Sequence, residues 1–410
     1  MGMYLARSMW AFSYAAASFV TLVLTWVAIT GAATRNRKIN IALCILSNQL
    51  SELPLTVMCL DACFYTWLNI TGTFQESLLV RFFYYTNIIT AIGLLYLFKR
   101  SLDVQEPSQQ FLHQFSKESK DWAELPGMAS PRFWQQLLNP FHWPRDCTVH
   151  HNIPYWTQQE QLDAQQNDGW ESVADMTLDI YRPNTVQGGD ERPVLFYLHG
   201  GGWTSGSKQL VGPLLTEMIF YEWIVVSVNY RLNSKRGYPA QIIDSKRALR
   251  WVKEDIRAFG GNPANIVVAG DSEGGHIAAL MALTANQADY QPGFESVDTS
   301  VQGCLGLSPV LDLLDLENYS NHDARTRFIK EVAKRDGSSQ SAETCTAPIH
   351  YLEVPGGHHC FHLISSPRSW YCAIAAGQWL NHYFDGVPQR LKDNQRKREV
   401  HEVVEWDWDV

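Results

Sequence analysis

The stretch Asn265–Asn286, NIVVAGDSEGGHIAALMALTAN, sets an apolar run, a G-x-S-x-G turn and a second apolar run in direct succession. The short run rich in Ile and Val reads as a buried strand, and the run after the turn reads as a helix. Ser272 therefore stands on a sharp strand-to-helix turn, where its hydroxyl is lifted above the strand ends and both a base and a carbonyl can reach it. Gly270 and Gly274 leave out side chains that would collide across such a turn. The following helix aims the positive end of its dipole at any oxyanion formed beside the serine. An acidic residue, Glu273, directly follows the serine. Its side chain is expected to point outward, leaving the backbone N–H as its useful group.

Strand and helix signals alternate on either side of this turn. TLDIYRP (177–183), RPVLFYLHGGGW (192–203) and EWIVVSVNYR (222–231) read as strands, the second a near-continuous apolar run suited to a buried parallel position. Pro239 to Phe259 reads as a helix, with Ile242, Ile243, Leu249, Val252 and Ile256 at helical spacing and Gly260-Gly261 as its stop. VQGCLGLSPV (301–310) and IHYLEVPGG (349–357) add two more strands. The alternation predicts an α/β fold, a mostly parallel sheet with helices on both faces.

G-x-S-x-G alone is a weak signal, because short Gly/Ser patterns recur by chance. It gains weight from HGGGW, His199–Trp203, at the end of a strand upstream. A glycine run lets bare N–H groups approach a reacting carbonyl, so Gly201 and Gly202, with the N–H of Glu273, form a candidate three-donor oxyanion hole. The third element is a base. VPGGHHCFHLISSPRSW (354–370) follows the last predicted strand and offers His358, His359 and His362. A triad histidine belongs on a loop in that position. His276, on the elbow helix, is expected to face away from the pocket and to be structural.

These blocks, together with YPAQIIDSKRALRWVKEDIRAFGG (238–261) and YQPGFESVDTSVQG (290–303), resemble the hormone-sensitive-lipase branch of the α/β-hydrolases. Within it, the chain looks most like membrane-anchored bacterial-type carboxylesterases. The resemblance covers most of residues 148–386. It implies carboxylic-ester hydrolysis through an acyl-serine intermediate, with no metal and no cofactor. It places the base on His359, in the x-H-x-F pattern that ends at Phe361, and gives Arg231 and Asp244 the role of bracing loops around the site. It would also place an aspartate on a strand shortly before the histidine. The stretch from Val310 to Pro348 holds no apolar strand ending in an aspartate, so the lid and one core strand of the family are expected to be missing. Asp312 is the first candidate for the triad acid and Asp323 the second. The competing expectation is a catalytically impaired hydrolase fold that serves as a binding or receptor module.

The first hundred residues are far more apolar than the rest. Met9 to Ala33 holds no charged residue over 25 positions, long enough to span a bilayer and too long for the core of a cleaved signal peptide. A second apolar segment, 39–68, is interrupted by Glu52, Pro54 and Asp61, and a third runs from Phe82 to Phe98. Basic residues mark the cytoplasmic side of short loops. Arg35, Arg37 and Lys38 after the first segment and Lys99-Arg100 after the third therefore put the N-terminus outside and the hydrolase domain in the cytoplasm, if all three segments cross. The expected organisation is a membrane region over 1–105, a linker or interfacial segment over 106–147, the hydrolase domain over 148–386 and a charged tail over 387–410. With 33 Lys+Arg against 42 Asp+Glu, nothing favours a nucleic-acid partner. Eight cysteines without metal spacing fit buried thiols, and Cys59 and Cys63 read as packing or lipid-facing residues.

Overall fold

The computed structural model describes residues 2–31, 37–115, 124–138, 146–168, 175–232, 238–311, 350–359 and 361–384. They form two compact units. One comprises Met1–His142 with Tyr351–Ala375, the other Trp143–His350 with Ala376–Val410.

The first unit is helical: α1 (Gly2–Thr30), α2 (Arg37–Glu52), α3 (Pro54–Ile70), α4 (Thr73–Glu76), α5 (Leu78–Leu102), α6 (Gln105–His113) and α7 (Pro131–Leu137). Two described helices, Ala6–Thr30 and Leu78–His113, are long and apolar enough to cross a membrane. They leave Phe12, Phe19 and Trp26 of α1 and Phe82, Ile89 and Ile92 of α5 exposed, an apolar surface that suits lipid. The interrupted middle segment breaks into α2 and α3, bent by 87°. Pro54 explains the break, since it lacks an N–H to continue the first helix but fits the first position of the next. Both charges in this segment are partnered. Glu52 is buried and forms an ion pair with Arg368, and its Oε1 lies 3.2 Å from His358 Nε2. Asp61 lies 2.6 Å from Asn87 Nδ2, which also reaches the Tyr14 hydroxyl and Ser18 Oγ, so a polar clasp joins α1, α3 and α5.

The second unit is a six-stranded sheet with flanking helices. Its elements are β1 (Cys147–Pro154), α8 (Gln158–Asp168), β2 (Thr177–Pro183), β3 (Arg192–Leu198), α9 (Pro213–Phe220), β4 (Ile224–Val228), α10 (Ala240–Asp255), β5 (Gly261–Asp271), α11 (Glu273–Leu283) and β6 (Gly303–Leu307). The last helix, α12 (Pro367–Phe384), begins in the first unit and ends in the second. Strand order is β1-β2-β4-β3-β5-β6. β1 and β2 pair antiparallel, as do β2 and β4, and the remaining pairs are parallel. The central strands β3, β4 and β5 are buried where they pair, as their unbroken Val/Ile/Leu runs require. Their side chains Phe196, Leu198, Val226, Val228 and Val268 join Leu249 and Val252 of α10 and Ile277 and Met281 of α11 in one core.

The strand expected over 349–357 does not form: Tyr351–Val354 lack strand structure. A strand needs a neighbouring edge to satisfy its N–H and C=O groups, and this segment falls in the helical unit rather than with the sheet.

Candidate active site

β5 delivers Asp271 and Ser272 to the carboxyl end of the sheet, where β3 delivers His199 and the glycine run; Leu198 pairs with Gly270 across the two strands. The turn is tight. Ser272 adopts φ 53° and ψ −120°, a conformation that costs a non-glycine residue about 1–3 kcal/mol. The Ser272 N–H donates to Leu307 O at 3.0 Å, and its carbonyl accepts from Val310 N at 3.2 Å, so β6 and the chain after it hold the strained residue. A Cβ on Gly274 would stand 2.2 Å from Leu198 O and 2.5 Å from His199 O, which only glycine avoids. The first turn of α11 is thereby pressed against the end of β3. The Glu273 N–H is one of the helix's opening donors, without an acceptor inside the helix.

The loop after β3 is tied to both sides of the serine. Gly200 N–H donates to Asp271 Oδ1 at 2.9 Å, and Trp203 N–H donates to Glu273 Oε1 at 3.1 Å. Between these anchors Gly201 and Gly202 take φ values of 139° and 67°, and Trp203 itself sits at 59°. A Cβ on Gly201 would lie 2.2 Å from Ser205 O. No described residue accepts from the N–H of Gly201 or of Gly202. Two bare donors in a loop tied to both neighbours of a half-buried serine are the kind of groups a tetrahedral oxyanion requires.

Glu273 differs from expectation. Its side chain points inward and is fully buried. There the carboxylate supplies an acceptor to the N–H of the buried Trp203. The Nδ1 of His276 lies 2.9 Å from Val310 O, and its ring packs edge-on against Trp203. Arg231 and Asp244 form a buried ion pair at 2.7 Å, and the Arg231 N–H adds a third bond to the same carboxylate. Arg231 and Arg247 both lie over the Trp156 ring, at 5.1 and 5.2 Å.

Two further side chains shape the site. Asp271 accepts from the Tyr197 hydroxyl at 2.8 Å as well as from Gly200, so one buried carboxylate fixes strand end and loop together. Its signal in the sequence was a lone acid closing an apolar strand, a residue that must find donors once buried. His199 stacks on Tyr230 at 4.6 Å, while the Tyr230 hydroxyl donates to His199 O at 2.5 Å. Burial lowers the pKa of His199 below its usual 6.5, and Nδ1 lies 2.9 Å from Gly200 O. A neutral ring protonated at Nδ1 satisfies that carbonyl.

Of the sequence-derived candidates, Ser272, Gly201, Gly202 and Glu273 stand together in the second unit. His359 belongs to the first, where it is exposed; its neighbour His358 lies beside Glu52, and His362 is buried. Asp312 and Asp323 lie outside the described residues.

The family model described as BD-FAE matches residues 178–355. Among curated proteins, esterase LipQ of Mycobacterium tuberculosis is 32% identical over 245 residues, covering 50% of this chain and 58% of that protein. Carboxylesterase NlhH of the same species is 42% identical over 125 residues, or 30% of this chain and 39% of that protein. Arylacetamide deacetylase of Bos taurus is 38% identical over 95 residues, or 22% and 23%. The chain thus spans less than two thirds of each of these relatives. Esterase B from Lactobacillus rhamnosis overlays with a TM-score of 0.38 at 19% identity, covering 57% of this chain and 67% of that one, which adds nothing to the topology above. Sheet order, elbow, glycine loop and these relatives agree, and together they support a place for the chain among the hormone-sensitive-lipase-like α/β-hydrolases.

Proposed function

We propose that the protein is a membrane-anchored serine carboxylesterase that cleaves lipid-like or small acyl esters, its hydrolase domain spanning 148–386. Ser272 Oγ attacks the ester carbonyl, and the N–H groups of Gly201, Gly202 and Glu273 take up the oxyanion. His359 accepts the serine proton and returns it to the leaving alcohol. Water then releases the acyl group by the same steps. Asp312 is the proposed orienting acid, with Asp323 the second choice. No metal or cofactor enters the scheme. The observation that carries the reading is the strained turn at Ser272, flanked on both sides by carboxylates that hold the glycine loop. The relatives' printed names, esterase and carboxylesterase, support the reaction class. The apolar helices α1 and α5 support the membrane anchor.

Labelling with a fluorophosphonate probe tests it. The folded wild type should label and hydrolyse a 4-nitrophenyl ester, and Ser272→Ala should lose both. His359→Ala should reduce turnover by a similar factor, on the order of 10⁴-fold or more. A folded sample without Ser272-dependent labelling would sink the enzyme reading and leave the impaired binding module.

A further inference from the structure

The hydrolytic scheme uses only the backbone of Glu273, yet its side chain is fully buried next to the place where negative charge must develop. Oε1 accepts the Trp203 N–H at 3.1 Å, and Oε2 has no hydrogen-bond partner among the described residues. A half-satisfied buried carboxylate is expensive to desolvate, and its charge opposes an oxyanion nearby. Both effects work against the reaction unless the one bond it makes has a compensating role.

That bond ends a run of three consecutive positive-φ residues, Gly201, Gly202 and Trp203. Within the loop, the Ser205 N–H and Oγ bond Gly201 O, which curls the loop but leaves it untethered to the elbow. The described tethers from loop backbone to elbow are Gly200 N–H to Asp271 and Trp203 N–H to Glu273, and their acceptors flank Ser272 on either side. The donors of the oxyanion hole, Gly201 and Gly202, lie between the two tethers. Releasing the Trp203 end frees the glycines to turn their N–H groups away from the serine. We infer that the Glu273 carboxylate is a positioning residue that clamps the oxyanion loop to the nucleophile elbow and so sets the direction of the Gly201 and Gly202 donors. The inference rests on Ser272 being the nucleophile.

Two side-chain variants in the full-length protein separate this from a packing role, with 4-nitrophenyl butyrate as substrate, fluorophosphonate as probe and Ser272→Ala as control. Glu273→Met fills the volume and removes the acceptor. It should lower kcat about 10- to 100-fold, at or below the loss of one oxyanion donor, leave KM within about threefold, and keep or raise the unfolding temperature. Glu273→Gln keeps an oxygen at Oε1 without the charge, and its kcat should stay within about threefold of wild type or exceed it. A folded Met variant with wild-type kcat overturns the inference, as does a folded Gln variant with less than about a tenth of wild-type kcat. The Gln result decides alone if the Met variant does not fold. Loss of labelling in the wild type itself would remove the enzyme reading and this inference together. Wild-type labelling with an indifferent Glu273→Met would remove the inference only.

Discussion

His199 stands at the join of β3 and the glycine loop with its ring buried against Tyr230 and its Nδ1 facing Gly200 O. Burial holds its pKa below 6.5 in the native state, so in mild acid the unfolded chain takes up a proton that the folded chain refuses. The stability that follows is fully present above about pH 6.5 and is lost as the pH falls through the lowered native value. Urea midpoints measured from about pH 7 to about pH 5 should fall, and His199→Gln should flatten that slope while lowering stability at neutral pH. A slope unchanged by the substitution would place the titrating group elsewhere. Glu273 shows the limit of reading single residues. An acid in the first turn of a helix is ordinarily solvated, because the dipole favours it there without burial. Its inward course brings it to the N–H of Trp203, in a loop seventy residues earlier, a long-range pairing that no local pattern carries.

The pair Arg231–Asp244 links the chain after β4 to α10, closing three hydrogen bonds on one buried carboxylate. Removing one partner leaves the other charged and unsolvated. Asp244→Ala should therefore destabilise the protein by about 3–5 kcal/mol, and Arg231→Met with Asp244→Leu should recover most of the loss in chemical denaturation. An Asp244→Ala variant as stable as wild type would show that water reaches the pair. The elements that the sequence disclosed share one property, a buried and continuous apolar run. β2, β3, β4 and β6 fall within their expected spans, β5 starts at Gly261, four residues before the expected Asn265, and the elbow helix α11 starts one residue early, at Glu273. β1, Cys147–Pro154, escaped because it is a half-exposed edge strand with His150, His151 and Asn152 in its middle. α8 escaped because Gln158–Asp168 is polar almost throughout, and it is held instead by Glu160, which pairs with Arg247 and Arg250. The supposed strand after Ile349 had the right composition and the wrong neighbours, since composition specifies a strand only where an edge is free to receive it. Within the site, Ser272 and the glycine loop were legible because each carries its chemistry in a local motif. The bonds that tie them together join residues about seventy positions apart and were not.

For the whole molecule, the side of the membrane on which the proposed hydrolase domain would lie depends on one element. α1 and α5 each exceed the roughly 30 Å of a hydrocarbon core at about 1.5 Å per residue. α3, with 17 residues, reaches only about 26 Å and leaves α2 at an 87° bend. If α2 and α3 together cross, both basic clusters, Arg35 to Lys38 and Lys99-Arg100, lie in the cytoplasm with the domain. If they form a re-entrant loop, the two spans place the clusters on opposite sides, against the charge bias. We therefore expect three crossings and a cytoplasmic domain, with the two acids of the middle segment met by the partners described above: Glu52 by the Arg368 guanidinium, Asp61 by a hydrogen bond from Asn87. Asn318-Tyr319-Ser320 provides the test, because it is an N-glycosylation acceptor within the hydrolase domain. Expressed in a eukaryotic secretory membrane, a cytoplasmic domain leaves Asn318 bare, and wild type and Asn318→Gln migrate alike with or without endoglycosidase. An endoglycosidase-sensitive band that Asn318→Gln abolishes would put the domain in the lumen and reduce the bent pair to a loop.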